Sequence, residues 1–138
     1  MNVIAVIDDK LGMMFNKRRQ SKDSELRKDM LKEVGENKLW MNTYSLGQFE
    51  EEVGTNVCVV EEFVDKAKSG EYCFVENIAI TEYEDRIEKL ILYKWNRVYP
   101  SDLKLDIDLK SSSWHLVSTE EFAGSSHENI TKEVWKHV

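Results

Sequence analysis

The chain opens on an apolar, largely β-branched run, NVIAVID (Asn2 to Asp8), that stops at two aspartates. A short apolar run bounded by polar residues predicts a buried strand. The next stretch, DKLGMMFNKRRQSKD, holds no clean period and predicts a loop. In SELRKDMLKEVG the apolar residues Leu26, Met30, Leu31 and Val34 fall on one helical face between a serine and Gly35, which predicts an amphipathic helix. KLWMN predicts a second strand, and Ser45 with Gln48 three residues on reads as a capping box opening a helix to about Val53. VCVVE predicts a third strand, EFVDKAKSG a helix closed by Gly70, and EYCFVEN a fourth strand. Thr81 and Glu84 open a further helical turn, and IEKLILYKW follows as a long strand. Two strand-like segments, SWHLVSTEEF and NITKEVWKHV, flank FAGSSHE at the end of the chain.

Strands that alternate with helices and then follow one another directly predict an α/β fold: a mostly parallel sheet, flanking helices and an antiparallel C-terminal hairpin. Neither a repeat nor a low-complexity tract interrupts it, and Pro100 is the single proline, so residues 1–138 are expected to form one domain. Hydrophobic residues at 41% and charged residues at 33% fit a folded core. The net charge of −7 argues against nucleic acid or an anionic membrane as partner. No apolar run reaches the roughly 20 residues that span a bilayer, and Asp8 and Asp9 end the first one too early for a signal peptide. Cys58 and Cys73 are isolated in apolar surroundings and are expected to be reduced and buried, so a cytoplasmic location is expected.

Several blocks together resemble dihydrofolate reductase. IAVIDDKLGM is similar to that family's first strand and the glycine-containing loop over its active site. KLWMNTYSLGQF resembles the strand-to-helix joint in which a hydrophobic strand ends in Met-Gly-Arg-x-Thr. IEKLILYKWNRVYPSDLKLDI resembles the long strand and its Gly-Asp-x-x-Phe-Pro turn, with Ser101 and Asp102 in place of Gly-Asp. WHLVSTEEF and NITKEVW resemble the last hairpin. The resemblance covers nearly the whole chain and implies the reductase fold. It also places FAGSSHE at the tip of the hairpin, where small polar residues serve a turn. Ser125 or Ser126 with His127 would be the alternative, a nucleophile and base, but neighbours in sequence seldom face each other and no orienting acid is evident.

Four departures bear on activity. The Gly-Gly pair with which the reductases approach the cofactor pyrophosphate corresponds here to Glu76 and Asn77, and a carboxylate repels phosphate. The Gly-Arg of the joint corresponds to Asn42 and Thr43, which removes a glycine and a cation. The chain is shorter than the reductases between Val53 and Glu71, the part that holds the adenosine end. The threonine that helps bind the pterin corresponds to Tyr93, whose bulk is expected to fill the cleft. No cofactor is therefore expected, NADPH being possible but disfavoured, and a small anionic or heterocyclic ligand is expected in the cleft. The family's active-site carboxylate corresponds to Glu25, with Asp23 as the competing choice; a glutamate in a first helical turn also suits the helix dipole on its own.

Lys17, Arg18, Arg19 and Gln20 stand where the reductases carry an apolar lid. Three cations beside a pocket suit a phosphate or carboxylate, and a solvated loop is the plainer reading. His115, His127 and His137 have no metal-ligand spacing, and no metal is expected. Trp40, Trp95, Trp114 and Trp135 are expected in strands as core, and Glu50 to Glu52 on a solvated helix face. FNKRRQS, LWMN, YCFVEN, YKWNRVYP and STEEFAGSSHE also resemble small bacterial proteins called ribonuclease Z. Zinc hydrolases of that name require H-x-H-x-D-H and a longer fold, so no ribonuclease chemistry is expected here. The leading expectation is a dihydrofolate-reductase-like protein that binds a small ligand. An NADPH-dependent reductase of dihydrofolate or a related pterin or pyrimidine is the alternative, and a non-enzymatic interaction protein is a third.

Overall fold

The computed structural model describes residues 1–138. In chain order the elements are β1 (Asn2–Ile7), β2 (Gly12–Phe15), β3 (Arg18–Arg19), α1 (Ser24–Val34), β4 (Leu39–Met41), α2 (Thr43–Leu46), β5 (Val57–Val59), α3 (Phe63–Lys66), β6 (Tyr72–Phe74), a 3-10 turn (Thr81–Arg86), β7 (Lys89–Lys94), β8 (Leu103–Lys104), β9 (Trp114–Phe122) and β10 (Ile130–His137). Seven strands form one sheet in the order β5-β4-β6-β1-β7-β10-β9. The pairs from β5 through β7 are parallel, and β10 turns the direction, pairing antiparallel with both β7 and β9. No helix is long and apolar enough to cross a membrane.

The middle strands are apolar on both faces because the sheet is covered on both. Val3, Ala5 and Ile7 of β1 join one core layer and Ile4 the other; in β7, Leu90 and Leu92 oppose Ile91 and Tyr93 in the same way. That two-sided burial is why these strands read as continuous runs rather than alternations. Leu26, Met30 and Val34 seat α1 on the second layer, and Phe63, Val64 and Ala67 bring α3 to the first. Cys73 is buried and Cys58 half-buried, both as free thiols, and burial pushes the Cys73 thiol up to about 12.

Several expected elements differ. The loop after β1 is a β2–β3 hairpin that pairs with β8 in a separate three-stranded sheet, order β3-β2-β8. Its two-residue turn, Asn16 and Lys17, has φ of 50° and 61°, the left-handed pair that a tight hairpin needs. The cap of α1 is Asp23, whose carboxylate accepts from the Glu25 and Leu26 N–H groups. The expected helix from Ser45 to Val53 is one turn, Thr43–Leu46. Its cap is Asn42, which accepts from the Ser45 N–H, so Ser45 is capped rather than capping. Glu50 to Glu52 therefore lie outside any helix, and Glu51 forms a bidentate pair with the buried Arg27 of α1 at 2.8–3.0 Å. Downstream, α3 spans four residues, and Gly70, at φ 79°, belongs to the turn before β6.

Candidate functional site

The carboxyl ends of β1, β4 and β6 meet the β2–β3 hairpin, and Asp8, one residue past β1, anchors that meeting. Its carboxylate is 1% exposed and accepts from the Lys10 and Gly12 N–H groups at 2.8 Å each, the Tyr99 N–H at 3.1 Å and the Gln20 amide at 3.0 Å. Burial disfavours the charged form, yet the donors outweigh it and hold the carboxyl below its usual range. Gly12 makes this possible, because a Cβ there would lie 2.7 Å from both the Gln20 Nε2 and the Ser101 Cβ.

On the hairpin's far strand, Arg19 turns inward. Its Nε and Nη2 donate to the two oxygens of Glu76 at 2.9 and 3.1 Å, its Nη2 also donates to the Tyr44 carbonyl, and its guanidinium lies 4.3 Å above the Tyr44 ring. The Gln48 amide donates to the same Glu76 carboxylate at 2.8 Å. Fork-to-fork pairing of this kind fixes both partners. Inside the pair lies a cavity of about 10 Å³, room for a single water, bordered by Met13, Leu26, Trp95 and Asp23. Gln20 Oε1 borders it as a buried acceptor without a protein partner. Outside the pair, a groove of about 420 Å³ opens between Met14 and Lys17 of the hairpin, Tyr44, Asn77, Asp102 and Leu103.

The expected site residues separate into two groups. Arg19 and Gln20 face inward, whereas Arg18 is exposed and Lys17 borders the outer groove, so the four do not converge on one anion. Glu25 stands on the outer surface of α1 and pairs with Lys28 at 3.3 Å. Tyr93 is wholly buried but lies outside the cavity lining; its hydroxyl donates to Asp29 at 2.6 Å and its ring meets Phe122 edge-on. The interior is thus closed by Arg19, Gln20 and Trp95 and not by Tyr93. The four positions that depart from the reductase pattern are all engaged within the chain. Asn42 donates to Asn77 at 2.8 Å, Thr43 donates to Glu61 through N–H and hydroxyl, and Glu76 receives Arg19 and Gln48. That turn thus carries a carboxylate and an amide side chain, both already hydrogen-bonded within the chain.

FAGSSHE is the β9–β10 hairpin tip, but it is folded against the start of α1. Asp23 accepts from the Ser126 N–H at 2.7 Å and its hydroxyl at 2.9 Å, and Ser125 accepts from the Ser24 N–H at 2.9 Å. His127 is buried, stacked on Trp95 with ring centroids 4.3 Å apart; its Nδ1 lies 2.8 Å from the Ser126 hydroxyl and its Nε2 2.7 Å from the Tyr99 hydroxyl. Sequence neighbours do face each other here, and an acid stands beside them. The one hydroxyl hydrogen of Ser126 has Asp23 and the Lys22 carbonyl as acceptors within reach, in competition with His127 Nδ1. The arrangement clasps the hairpin to the helix. His115 and His137 lie elsewhere, on β9 and β10, with His137 stacked on Trp114.

Strand order, the single long helix between β1 and β4 and the terminal antiparallel hairpin define a fold of the dihydrofolate reductase type. A solved dihydrofolate reductase from Enterococcus faecalis, complexed with NADP(H) and RAB-propyl, is similar to this chain with a TM-score of 0.67 and 12% identity, over 99% of this chain and 95% of that one. No family model and no curated protein matches the sequence.

Proposed function

We propose that this protein uses the reductase fold to bind a small planar anionic or heterocyclic ligand in the groove beside Lys17, Tyr44 and Asn77, without NADPH-dependent reduction. The observation that carries the reading is the Arg19–Glu76 pair. It divides an interior with room for one water from an outer groove of about 420 Å³, within the span of roughly 300–1,000 Å³ usual for small-ligand sites. Met14 and Leu103 offer apolar walls to a planar body, Lys17 an ammonium to a carboxylate or phosphate, and Asn77 an amide for orientation. The fold and the openness of this groove also favour a second reading, an NADPH-dependent reductase of dihydrofolate or a related pterin or pyrimidine.

Thermal shift against NADPH, NADP, dihydrofolate, methotrexate and nucleotides separates the two, because a ligand bound only by the folded state raises the melting temperature. The proposed function expects stabilisation by an anionic heterocycle that Lys17→Ala weakens by about tenfold, the loss of one charge-assisted contact. NADPH stabilisation together with NADPH oxidation on adding dihydrofolate would establish the reductase. Silence across the whole panel would end the ligand reading.

A further inference from the structure

Lys94 and Lys132 stand on neighbouring strands, and their ammonium groups are held very differently. Lys132 pairs with Tyr93 on the face of the sheet that meets α1, and its ammonium lies 2.9 Å from Asp29 and 2.8 Å from Glu33. Lys94, the last residue of β7, stands on the opposite face with a side chain only 32% exposed. Its one charged neighbour, Glu133, is 3.7 Å away, beyond hydrogen-bond distance, so the ammonium makes no hydrogen bond within the chain. A cation that loses much of its water without gaining an acceptor has an unmet demand. Trp135 is the second incomplete group. The other three tryptophan rings each meet a cation or an imidazole: Lys38 lies 5.8 Å from Trp40, His127 stacks on Trp95 at 4.3 Å and His137 on Trp114 at 4.5 Å. Trp135 has no such partner, and its indole N–H already donates to Glu133 at 3.2 Å, so apolar ring surface is what it has left to offer. Both groups line one groove of about 660 Å³, with the half-buried Leu11 and Leu109 beside them.

We propose that this groove is a second binding site and takes a small aromatic carboxylate, its oxyanion on Lys94 and its ring against Trp135. The ligand class follows from the two groups left incomplete. A flat ring supplies the stacking partner that Trp135 lacks, and a carboxylate supplies a charge-assisted acceptor to Lys94. A neutral ring would meet only the first demand and an inorganic anion only the second. Carboxylates of the chain also line the groove, yet the inner ones are committed: Asp8 accepts from four donors, and Glu133 accepts from Trp135 and faces Lys94. Asp9 and Asp108 are exposed, and the exposed Lys10 and Lys110 offset their charge. The volume lies within the span of roughly 300–1,000 Å³ usual for small-ligand sites. No residue is shared with the groove beside Lys17, so this inference stands apart from the proposed function.

An amide NMR titration with naphthoate tests it, read at the indole N–H of Trp135, which is identified as the signal missing from Trp135→Phe. Naphthoate is expected to shift that signal and to bind about tenfold more tightly than naphthamide, its uncharged counterpart, the difference one charge-assisted contact makes. Lys94→Met keeps the stem and removes the ammonium, and is expected to abolish that preference. Leu109→Asp, at a half-buried loop position, sets a like charge in the wall and is expected to weaken naphthoate by at least as much. Lys17→Ala is expected to leave the titration unchanged. Circular dichroism melts check that each variant folds. A Trp135 signal that stays in place at millimolar naphthoate overturns the proposal. So does equal affinity for naphthoate and naphthamide, or a shift that Lys17→Ala removes and Lys94→Met retains.

Discussion

Asp23 concentrates more structural duty than any other single side chain in the site. It caps α1 with one oxygen and holds the Ser126 N–H and hydroxyl with the other, at 2% exposure. Burial alone would raise its carboxyl; the donors from Ser126, Ser125 and Leu26 outweigh that and keep it far below the usual carboxylate range. Asp23→Ala removes the cap and leaves the hairpin tip without its acceptor, and is expected to cost about 3 kcal/mol in urea unfolding. His127 carries a pH signature of opposite chemistry. Burial disfavours its imidazolium and the Arg97 charge adds to that, while Asp23 opposes them less strongly, so the folded histidine titrates below its ordinary 6.5. The unfolded chain then binds the proton more readily than the folded one. The contribution is present in full above about 6.5 and is lost as pH falls below it towards the folded value. Melting temperature is expected to fall between neutral and mildly acidic pH in the wild type, and less steeply in His127→Gln. Parallel pH profiles would show that His127 is not the group responsible.

At the level of elements, the β2–β3 hairpin sets what the site is open to. Its tip places Lys17 at φ 61°, in the left-handed region that costs a residue with a Cβ about 1–2 kcal/mol. Lys17→Gly, which writes the Asn-Gly turn such hairpins prefer, is expected to raise stability by about 1 kcal/mol. The proposed function requires the same change to weaken ligand binding, a stability–affinity opposition that Lys17→Ala would not show. Why this hairpin escaped the sequence is a matter of reach. β2 pairs locally with β3, but Lys17 stands where such a turn prefers glycine and β3 is two charged residues, and its other partners, β8 and Asp102, lie some 86 residues away. The middle strands and α1 were legible because burial on two faces, or on one helical stripe, leaves a continuous or periodic apolar record. α2 was misread for a subtler reason: Ser45 and Gln48 carry the spacing of a capping box, while Asn42 wins the cap and Gln48 is drawn to Glu76. Arg19 could be suspected as a cation from its neighbours. Its partner lies 57 residues on, and that of Ser126 103 residues back, so whether each charge was free or spent was not written near it.

For the whole molecule, the question is whether the hairpin moves independently of the frame it covers. The frame is β6, β1 and β7, paired on both sides and buried in both core layers, and such strands open only with global unfolding. The hairpin is held by less: β2 pairs with the two-residue β8, Met13 and Met14 reach the first core layer, and side chains add the Asp8 carboxylate at its base and the Arg19–Glu76 pair near its tip. A segment with a short ladder and few core contacts has a lower local opening free energy than strands paired on both sides. Hydrogen exchange should therefore show β1 and β7 amides protected to the global limit and β2–β3 amides exchanging sooner. Glu76→Gln keeps shape and one acceptor but removes the charge from the fork, and is expected to speed hairpin exchange several-fold while leaving β1 and β7 unchanged. That outcome would mean the small interior cavity is a closed state of a cleft that opens by hairpin release. Equal acceleration in hairpin and frame would mean that Arg19 and Glu76 are part of the core, and that ligands reach only the outer groove.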